Sequence, residues 1–502
     1  AFCFPSSYAA RVEHALPSTA QPPVPPADAD PSRWYREQSF SVDTIARDNV
    51  HGLRLTAETE LGLRNGLLTL CAGLYLNTTG DVVVNDFAGE HTPFFRERCV
   101  KTDTMRCAMF RLREDQPRVF DYWDPTTTEG VHEFADWLAS FRITDTLFRL
   151  SSQPDGSTET MMHTLIARLH EWDIRVWAAD LPIAAVADRG KCFNSPEYRE
   201  SRQALVRAIL QTYPSLDGLD FHIGHAFSAD GCTICTCPTC RDMPGNRAGV
   251  YRAFADAYHT ATAIKPEIRI RVPYKMFGDA TRDIVEHAQE FPNLELFTWL
   301  RWGPLVKLEQ PGVPITAGHE DGGGGAEAGW WVEDMTWERI REHPRDYESI
   351  LRHYVVVAKQ LGLPSISWEP ALQREIEQMY FCYSQLSWTP TIAWSDLARR
   401  FVIYSERRAD EQLAQAYCQL LELDHEAHLW GVPAYGPGYE QGVRQVIVRP
   451  NITAGIMEEV PYYIHRADLQ QRIKQFGESL QDLGLLDEDF QTPPPRFDLR
   501  WA

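Results

Sequence analysis

The sequence predicts an α/β protein built on a (β/α)8 TIM barrel, with a small N-terminal α/β domain and a helical C-terminal extension. After residue 99, short apolar segments alternate with longer amphipathic ones, which is typical of a parallel sheet with helical crossovers. Eight such strands fall within about 265 residues, the number and length of a (β/α)8 barrel. An open doubly wound sheet is the alternative, but the chain has no G-x-G-x-x-G or P-loop sequence.

Four regions are predicted along the chain. Residues 1–33 form an extended Pro-rich arm, residues 34–99 the small α/β domain, residues 100–370 the barrel and residues 371–502 the helical extension. In the small domain we expect a helix over Thr56–Leu76, where leucines recur on one face. The barrel strands are predicted at Met105–Leu112, Thr146–Leu150, Arg175–Leu181, Leu219–Gly224, Ile268–Val272, Glu295–Leu300, Val313–Thr316 and Ser365–Trp368.

Charge and composition exclude several classes of partner. The 502 residues carry 49 Lys and Arg against 70 Asp and Glu, a net charge of −21, which argues against nucleic acid and anionic membrane surfaces. No run of about 18 apolar residues is present, so we expect a soluble protein with no membrane span. The odd number of cysteines, 11, argues against a fully paired secreted scaffold and favours the cytoplasm over the periplasm or secretion. A homo-oligomer stays open.

Four cysteines lie close together just after the predicted fourth strand. The spacing Cys232-x-x-Cys235-x-Cys237-x-x-Cys240 places four thiols within nine residues. It suits a structural zinc site or, as a second choice, an iron–sulfur cluster, and disulfide bonds within the loop are the alternative. Because four protein ligands leave zinc no open coordination position, we expect this loop to brace the site rather than react. No organic cofactor is expected.

Candidate catalytic residues follow the predicted strands, where (β/α)8 enzymes place their active sites. Glu320 and Asp321 follow the seventh strand, and Glu369 follows the eighth. Glycoside hydrolysis needs such a set, because one carboxylic acid protonates the leaving oxygen while a second carboxylate activates water or attacks carbon. We expect His222 and His225, at the fourth strand, to orient the substrate or carry protons.

The other candidates would bind the sugar. Arg301 and Lys275 are suited to hold an anionic group, and Trp299 and Trp302 to stack on a sugar ring. The predicted substrate-binding residues are Asp220, Lys275, Trp299, Arg301, Trp302, His319 and Trp368.

Three segments resemble glycoside hydrolases built on a family-20 hexosaminidase or family-67 α-glucuronidase plan. Glu60–Leu70, followed by Pro93–Arg98, is similar to the passage from the N-terminal domain into the barrel of these enzymes. GLDFHIG at Gly218–Gly224 resembles the fourth strand of the hexosaminidases. Met379–Phe401 is similar to the α-glucuronidase segment that follows the barrel. The resemblance implies a glycoside hydrolase on a (β/α)8 barrel.

The fourth strand departs from the hexosaminidase pattern. Hexosaminidases end this strand in Gly-Gly-Asp-Glu, with the Glu as general acid, whereas Ala226 and Phe227 stand at the matching positions here. The acetamido-assisted mechanism therefore does not carry over. The acid must come from Glu320, Asp321 or Glu369, or a histidine must replace it.

We therefore expect an exo-acting glycoside hydrolase that cleaves a terminal acidic or N-acetylated sugar, with Glu320 or Asp321 as one member of the acid/base pair and Glu369 as the other. One alternative is a metal-dependent barrel hydrolase that uses His222, His225 and His319 as ligands. The other is a carbohydrate-binding barrel that has lost its acid. Inversion or retention depends on the separation of the two carboxyl groups.

Overall fold

A small α/β segment precedes the barrel in the chain. The computed structural model of the protein describes residues 31–47, 50–77, 79–84, 88–101, 126–184, 191–223, 247–273, 282–299, 315–321, 365–370, 376–389, 392–415 and 418. The elements of the segment are α1 (Pro31–Gln38), β1 (Phe40–Arg47), β2 (Val50–Ala57), α2 (Glu60–Ala72), β3 (Leu74–Leu76), β4 (Val82–Val84) and β5 (Gly89–His91). β1 pairs antiparallel with β2 and β5, and β3 pairs antiparallel with β4.

The helix expected over Thr56–Leu76 is shorter at both ends. Strand β2 occupies its predicted first residues, and Thr59 caps α2 by accepting a 3.0 Å hydrogen bond from the Gly62 N–H. Gly73 ends the helix. Gly66 lets α2 lie directly against β2, because a Cβ there would stand 2.3 Å from Cδ1 of Leu55.

Eight parallel strands form a closed barrel. Helices lie after the first five of them, as expected for parallel crossovers. The elements are β6 (Glu97–Lys101), α3 (Thr128–Ser140), β7 (Asp145–Phe148), α4 (Gly156–Glu171), β8 (Arg175–Ala184), α5 (Pro196–Thr212), β9 (Gly218–Ile223), α6 (Arg247–Ile264), β10 (Arg269–Pro273), α7 (Arg282–Glu286), β11 (Leu294–Trp299), β12 (Ile315–Asp321) and β13 (Ser365–Pro370).

The first barrel strand differs from the prediction. Met105–Leu112 lies outside the described residues, and β6 pairs with β7 on one side and β13 on the other, so it completes the barrel. The predicted start of the barrel, residue 100, falls inside β6. The sequence of this strand, ERCVK, has only two apolar residues, and it therefore gave no strand signal. The other seven predicted strands overlap observed ones, although β12 and β13 run further than expected.

Strand β9 shows how the barrel sorts its side chains. Leu219, Phe221 and Ile223 are fully buried in the main core, and the Phe221 ring meets Phe254 of α6 edge-on at 6.2 Å. Because successive side chains on a strand point to opposite faces, Asp220 and His222 belong to the barrel interior. Both are partly exposed.

The N-terminal end of the barrel is filled by ion pairs. Glu97 accepts hydrogen bonds from Arg175 at 2.9 Å, from Arg269 at 3.2 Å and from the Ser365 hydroxyl at 2.8 Å. These contacts link β6 to β8, β10 and β13. Burial opposes ionisation of Glu97, but the charges of Arg269 and Arg175 outweigh it and hold the pKa of this carboxyl well below its usual range.

Two C-terminal helices pack on the barrel, α8 (Ile376–Trp388) and α9 (Trp394–Glu406). Both lie within residues 371–502, the region predicted to be helical. The buried Tyr383 hydroxyl of α8 donates to the carbonyl oxygens of Cys99 at 2.9 Å and Ile366 at 3.1 Å, which fixes α8 against the seam between β6 and β13. Within the ranges described above, no helix is both long and apolar enough to cross a membrane.

Candidate active site

Asp180 connects three barrel strands at their C-terminal rim. Its Oδ2 accepts a 2.7 Å hydrogen bond from Nε of Arg149, which follows β7, and lies 2.9 Å from Nζ of Lys101 at the end of β6. Its Oδ1 lies 3.6 Å from Nδ1 of His222 on β9. The Asp180 side chain is 17% exposed and that of Arg149 is 53% exposed, so the cluster reaches from the barrel interior to solvent.

A bulge in β8 places Asp180 in this position. Ala178 pairs with Leu219 and Leu181 pairs with Phe221, so two residues of β8 stand opposite one residue of β9. Asp180 has a φ of 52°, a left-handed conformation that Asp tolerates better than most residues. Its backbone N–H donates a 3.3 Å hydrogen bond to Oδ2 of Asp220. The bulge therefore brings two carboxyl groups together at the rim.

The two carboxyl groups have opposite protonation tendencies. Burial opposes ionisation of Asp180, but its contact with His222 and the charges of Lys101 and Arg149 outweigh this and hold its pKa well below the usual range. The pKa of Asp220 is raised, first by burial and then by the negative charge of Asp180. Asp220 therefore loses its proton at a higher pH than Asp180 does, and pairs with such divergent pKa values recur at catalytic and binding sites.

Strands β12 and β13 bring two of the predicted catalytic residues level with each other. The Cα register pairs Glu320 with Glu369, His319 with Trp368, and Asp321 with Pro370. Neighbouring strands lie about 4.8 Å apart, so the backbones of Glu320 and Glu369 are adjacent. His319, Glu320, Asp321 and Glu369 lie within the last residues of their strands, whereas they were predicted to follow them; Trp368 lies within its strand, as predicted. Since the barrel strands are parallel, this pair shares the C-terminal rim with Asp180 and Asp220.

The remaining predicted site residues divide into two groups. Trp299 is the last residue of β11, and this places its backbone at the same rim. Among all the described residues, including those at the rim, no group of three or more His, Cys, Asp or Glu side chains is arranged to hold a metal ion. The predicted residues outside the described ranges are His225, Cys232, Cys235, Cys237, Cys240, Lys275, Arg301 and Trp302.

Sequence reasoning missed Lys101, Arg149 and Asp180 as members of the site. Lys101 ends a strand that the hydrophobic pattern did not identify, and Arg149 falls inside the predicted second strand, Thr146–Leu150. Asp180 lies within the predicted third strand, where a bulge is not visible from the pattern. One signal was present: Asp180 is a carboxylate near the end of a predicted strand that is apolar from Val176 to Ala179.

The comparisons with known proteins indicate a glycoside hydrolase fold. No family model and no curated protein matches the sequence. Among solved structures, a GH138 enzyme targeting pectin rhamnogalacturonan II is similar at a TM-score of 0.52 and 10% identity, over 88% of this chain and 63% of that one. A GH115 4-O-methyl-α-glucuronidase with specificity for decorated arabinogalactans is similar at 0.50 and 11% identity, over 92% of this chain and 67% of that one.

At these identities the likeness establishes the fold alone. The chain spans 63% of the length of the GH138 enzyme, somewhat less than two thirds. These two enzymes belong to families 138 and 115, whereas the sequence motifs resemble families 20 and 67. The fold of this chain is therefore similar to that of these two glycoside hydrolases.

Proposed function

We propose that the protein is an exo-acting glycoside hydrolase whose active site is the C-terminal rim of the barrel. The observation that supports this most strongly is that carboxyl-bearing residues meet at this rim from two sides. Asp180 and Asp220 stand on β8 and β9, and Glu320 and Glu369 stand in register on β12 and β13. In the closed strand order, β12 and β13 lie three and four strands from β9, across the barrel. A sugar entering the mouth would lie between the two sets.

In this proposal Glu369 is one member of the acid/base pair, and Glu320 or Asp321 is the other. His222 and His225 orient the substrate or carry protons. The residues proposed to bind the sugar are Asp220, Lys275, Trp299, Arg301, Trp302, His319 and Trp368.

The rim also favours an acidic sugar over an N-acetylated one. Lys101 and Arg149 carry positive charge at the mouth, and a protonated Asp220 can donate a hydrogen bond to a carboxylate where an ionised one would repel it. The GH115 neighbour is an α-glucuronidase, and its name therefore denotes an enzyme that releases an acidic sugar. A terminal uronic acid is the substrate class that this proposal favours.

A panel of chromogenic glycosides tests the proposal. The full chain is assayed against uronides, hexosaminides, sialosides and neutral hexosides, alongside its Glu320→Gln and Glu369→Gln variants. We expect turnover of a uronide and a loss of about 10²-fold or more in both variants, since each removes a carboxyl group from the acid/base pair. Saccharide binding without turnover of any panel member would favour the non-catalytic barrel instead.

The same proposal includes a structural zinc site in the loop after β9. It also keeps the predicted division of the chain into four regions. Cys232, Cys235, Cys237 and Cys240 would hold one structural zinc beside the site. Metal analysis of the purified chain tests this: about one zinc per chain is expected. Iron with sulfide would indicate a cluster, and a metal-free chain with no free thiols in the loop would indicate disulfides.

A further inference from the structure

A cavity lies on the outside of the barrel, where four helices from separate parts of the chain meet. It is small: the centre of a water-sized sphere can move through about 20 Å³ of it, which is room for one small ion. The helices are α2 of the small segment, the end of α3 on the barrel, and the C-terminal helices α8 and α9. The polar residues that line it are Thr69, Ser140, Arg142, Ser384, Gln385 and Arg400.

Arg142 is buried beside this cavity, and its guanidinium contacts only neutral groups. It is 5% exposed, and its guanidinium donates to the hydroxyl of Thr69 at 2.9 Å and to that of Ser384 at 3.3 Å. Its Cζ also lies 4.5 Å from the ring centre of Trp388. None of these partners carries a negative charge.

A second buried arginine adds to the positive charge. Arg98 is 0% exposed and donates to the backbone carbonyl oxygens of Arg142 at 2.7 Å and Phe95 at 2.8 Å. Within the described part of the chain, neither Arg98 nor Arg142 forms an ion pair. Burial, followed by the charges of Arg98 and Arg400, holds the pKa of Arg142 well below its usual range.

The interior of the barrel treats buried arginines differently. Arg271, which is 2% exposed, lies 2.7 Å from Oε1 of Glu295. The partly exposed Arg175 likewise lies 2.8 Å from Oδ1 of Asp145. A buried cation without a counter-charge is costly, and buried charges are therefore usually paired. The Arg98–Arg142 pair departs from this pattern, and a cavity adjoins it.

We propose that the cavity binds a small anion, such as chloride or inorganic phosphate, which supplies the missing negative charge. Arg142 and Arg400 line the cavity and are its cationic donors. The Ser384 hydroxyl accepts from Arg142, and its own proton is donated to no described residue, so it is the third donor. A bound anion would join α2, α3, α8 and α9 and stabilise the junction between them. The inference is independent of the proposed hydrolase activity.

Thermal unfolding of the full chain in different salts tests the proposal. The Tm is measured at constant ionic strength while sodium gluconate is replaced by sodium chloride or sodium phosphate. A saturable rise in Tm with one of these small anions is expected, because a ligand that binds the folded chain stabilises it by mass action. Whichever anion acts at the lower concentration is the better fit to the site. Equal Tm values in all three salts would overturn the proposal.

Two neighbouring arginines of α9 give a matched pair of variants. Arg400 lines the cavity, whereas Arg399 is 43% exposed and pairs with Glu411 at 3.0 Å. Arg400→Gln should abolish the anion-dependent rise in Tm, and Arg399→Gln, with the same loss of charge, should keep it. Both variants avoid the fully buried arginines, whose replacement endangers folding. An equal anion response in the two variants would contradict the site. In ³⁵Cl NMR, the wild-type chain should broaden the chloride line, and added phosphate or Arg400→Gln should reduce the broadening. A line width that neither of them changes would also contradict the site.

Discussion

The backbone N–H of Asp180 donates a 3.3 Å hydrogen bond to Oδ2 of Asp220, across the bulge between β8 and β9. This contact holds side by side an ionised carboxylate and a carboxyl group whose pKa is raised. The negative charge of Asp180 is balanced by Lys101 and Arg149. Burial and the charge of Asp180 raise the pKa of Asp220. The pair thus makes the charge of the rim depend on pH.

Asp220 should make the binding of an acidic glycoside pH-dependent. Below its raised pKa, Asp220 is protonated and donates a hydrogen bond to the substrate carboxylate. Above that pKa it is negative and repels the substrate, so KM should rise with pH. The measurement is KM against pH for a uronide and for any neutral glycoside that is hydrolysed, and the neutral substrate should lack the rise.

Asp220→Asn is the sharpest variant for this prediction. Asn has the shape of a protonated Asp and a permanent N–H donor, and it should therefore keep the low KM while removing its pH dependence. Asp220→Ala, which has neither a donor nor a charge, should also lose the pH dependence, with a KM above the low-pH value of the wild type. A KM profile for Asp220→Asn that still rises as in the wild type would show that Asp220 is not the titrating group.

Asp180→Asn should move the same profile to lower pH. Removing the negative charge of Asp180 lowers the pKa of Asp220, because this charge is the second-largest cause of the raised value. Asn also tolerates the φ of 52° at this position, so the bulge should remain. The control is Glu171→Gln, at the N-terminal side of β8, where the side chain is 62% exposed. A shift to higher pH, or the same shift in the control, would contradict the assignment.

Glu97→Gln should destabilise the barrel. It leaves the partly buried Arg175 and Arg269 without one of their counter-charges, although each keeps a second carboxylate, and it should cost about 1–3 kcal/mol of the free energy of unfolding. Glu411→Gln, which breaks an exposed pair with Arg399, should cost less than about 1 kcal/mol. Chemical denaturation at pH 7 compares the two.

The Glu97 effect should also depend on pH in a defined direction. Because the pKa of Glu97 is lowered on folding, its stabilisation is present above the unfolded value of about 4.3 and disappears as the pH falls through the folded value. The difference between wild type and Glu97→Gln should therefore shrink on acidification below about pH 4. A difference that grows in acid would be the opposite sign and would contradict the ion-pair account.

Gly218→Ala should disrupt the barrel interior. A Cβ at Gly218 would stand 2.1 Å from Cε3 of Trp177, a ring that is fully buried and cannot move aside. Gly156→Ala is the control, because a Cβ at this position in the first turn of α4 meets nothing within 4 Å. We expect a Tm well below wild type for the first variant and an unchanged or higher Tm for the second. Equal Tm values would show that Trp177 is not packed against β9.

The hydrophobic pattern predicted the strands whose outward faces are apolar. Leu219, Phe221 and Ile223 mark β9, and the predicted strand differs from the observed one by a single residue at each end. It failed for β6, where Glu97, Cys99 and Lys101 alternate with Arg98 and Val100, because this barrel fills its interior with ion pairs. A strand stabilised by long-range charge pairs has no local apolar signature.

The candidate site was predicted only where its residues carry a local signal. Asp220 and His222 alternate with the apolar residues of one strand, and this pattern is visible in the sequence. The contacts of Asp180 with Lys101 and Arg149 depend on barrel closure and on a bulge, and both arise from pairing between distant segments. The junction cavity joins helices more than 300 residues apart in the chain, and for this reason no local pattern could indicate it.

The value of kcat/KM for the best panel glycoside, measured in Glu369→Gln and Glu171→Gln, tests the central claim most directly. Glu369 lies near the end of β13, at the C-terminal rim. Glu171 is the last residue of α4, which precedes β8, and it therefore lies toward the N-terminal end of the barrel. We expect kcat/KM to fall by about 10²-fold or more in Glu369→Gln, the scale of a lost acid or base, and to equal that of wild type in Glu171→Gln. A Glu369→Gln variant with wild-type kcat/KM would contradict the claim that this rim cleaves glycosides.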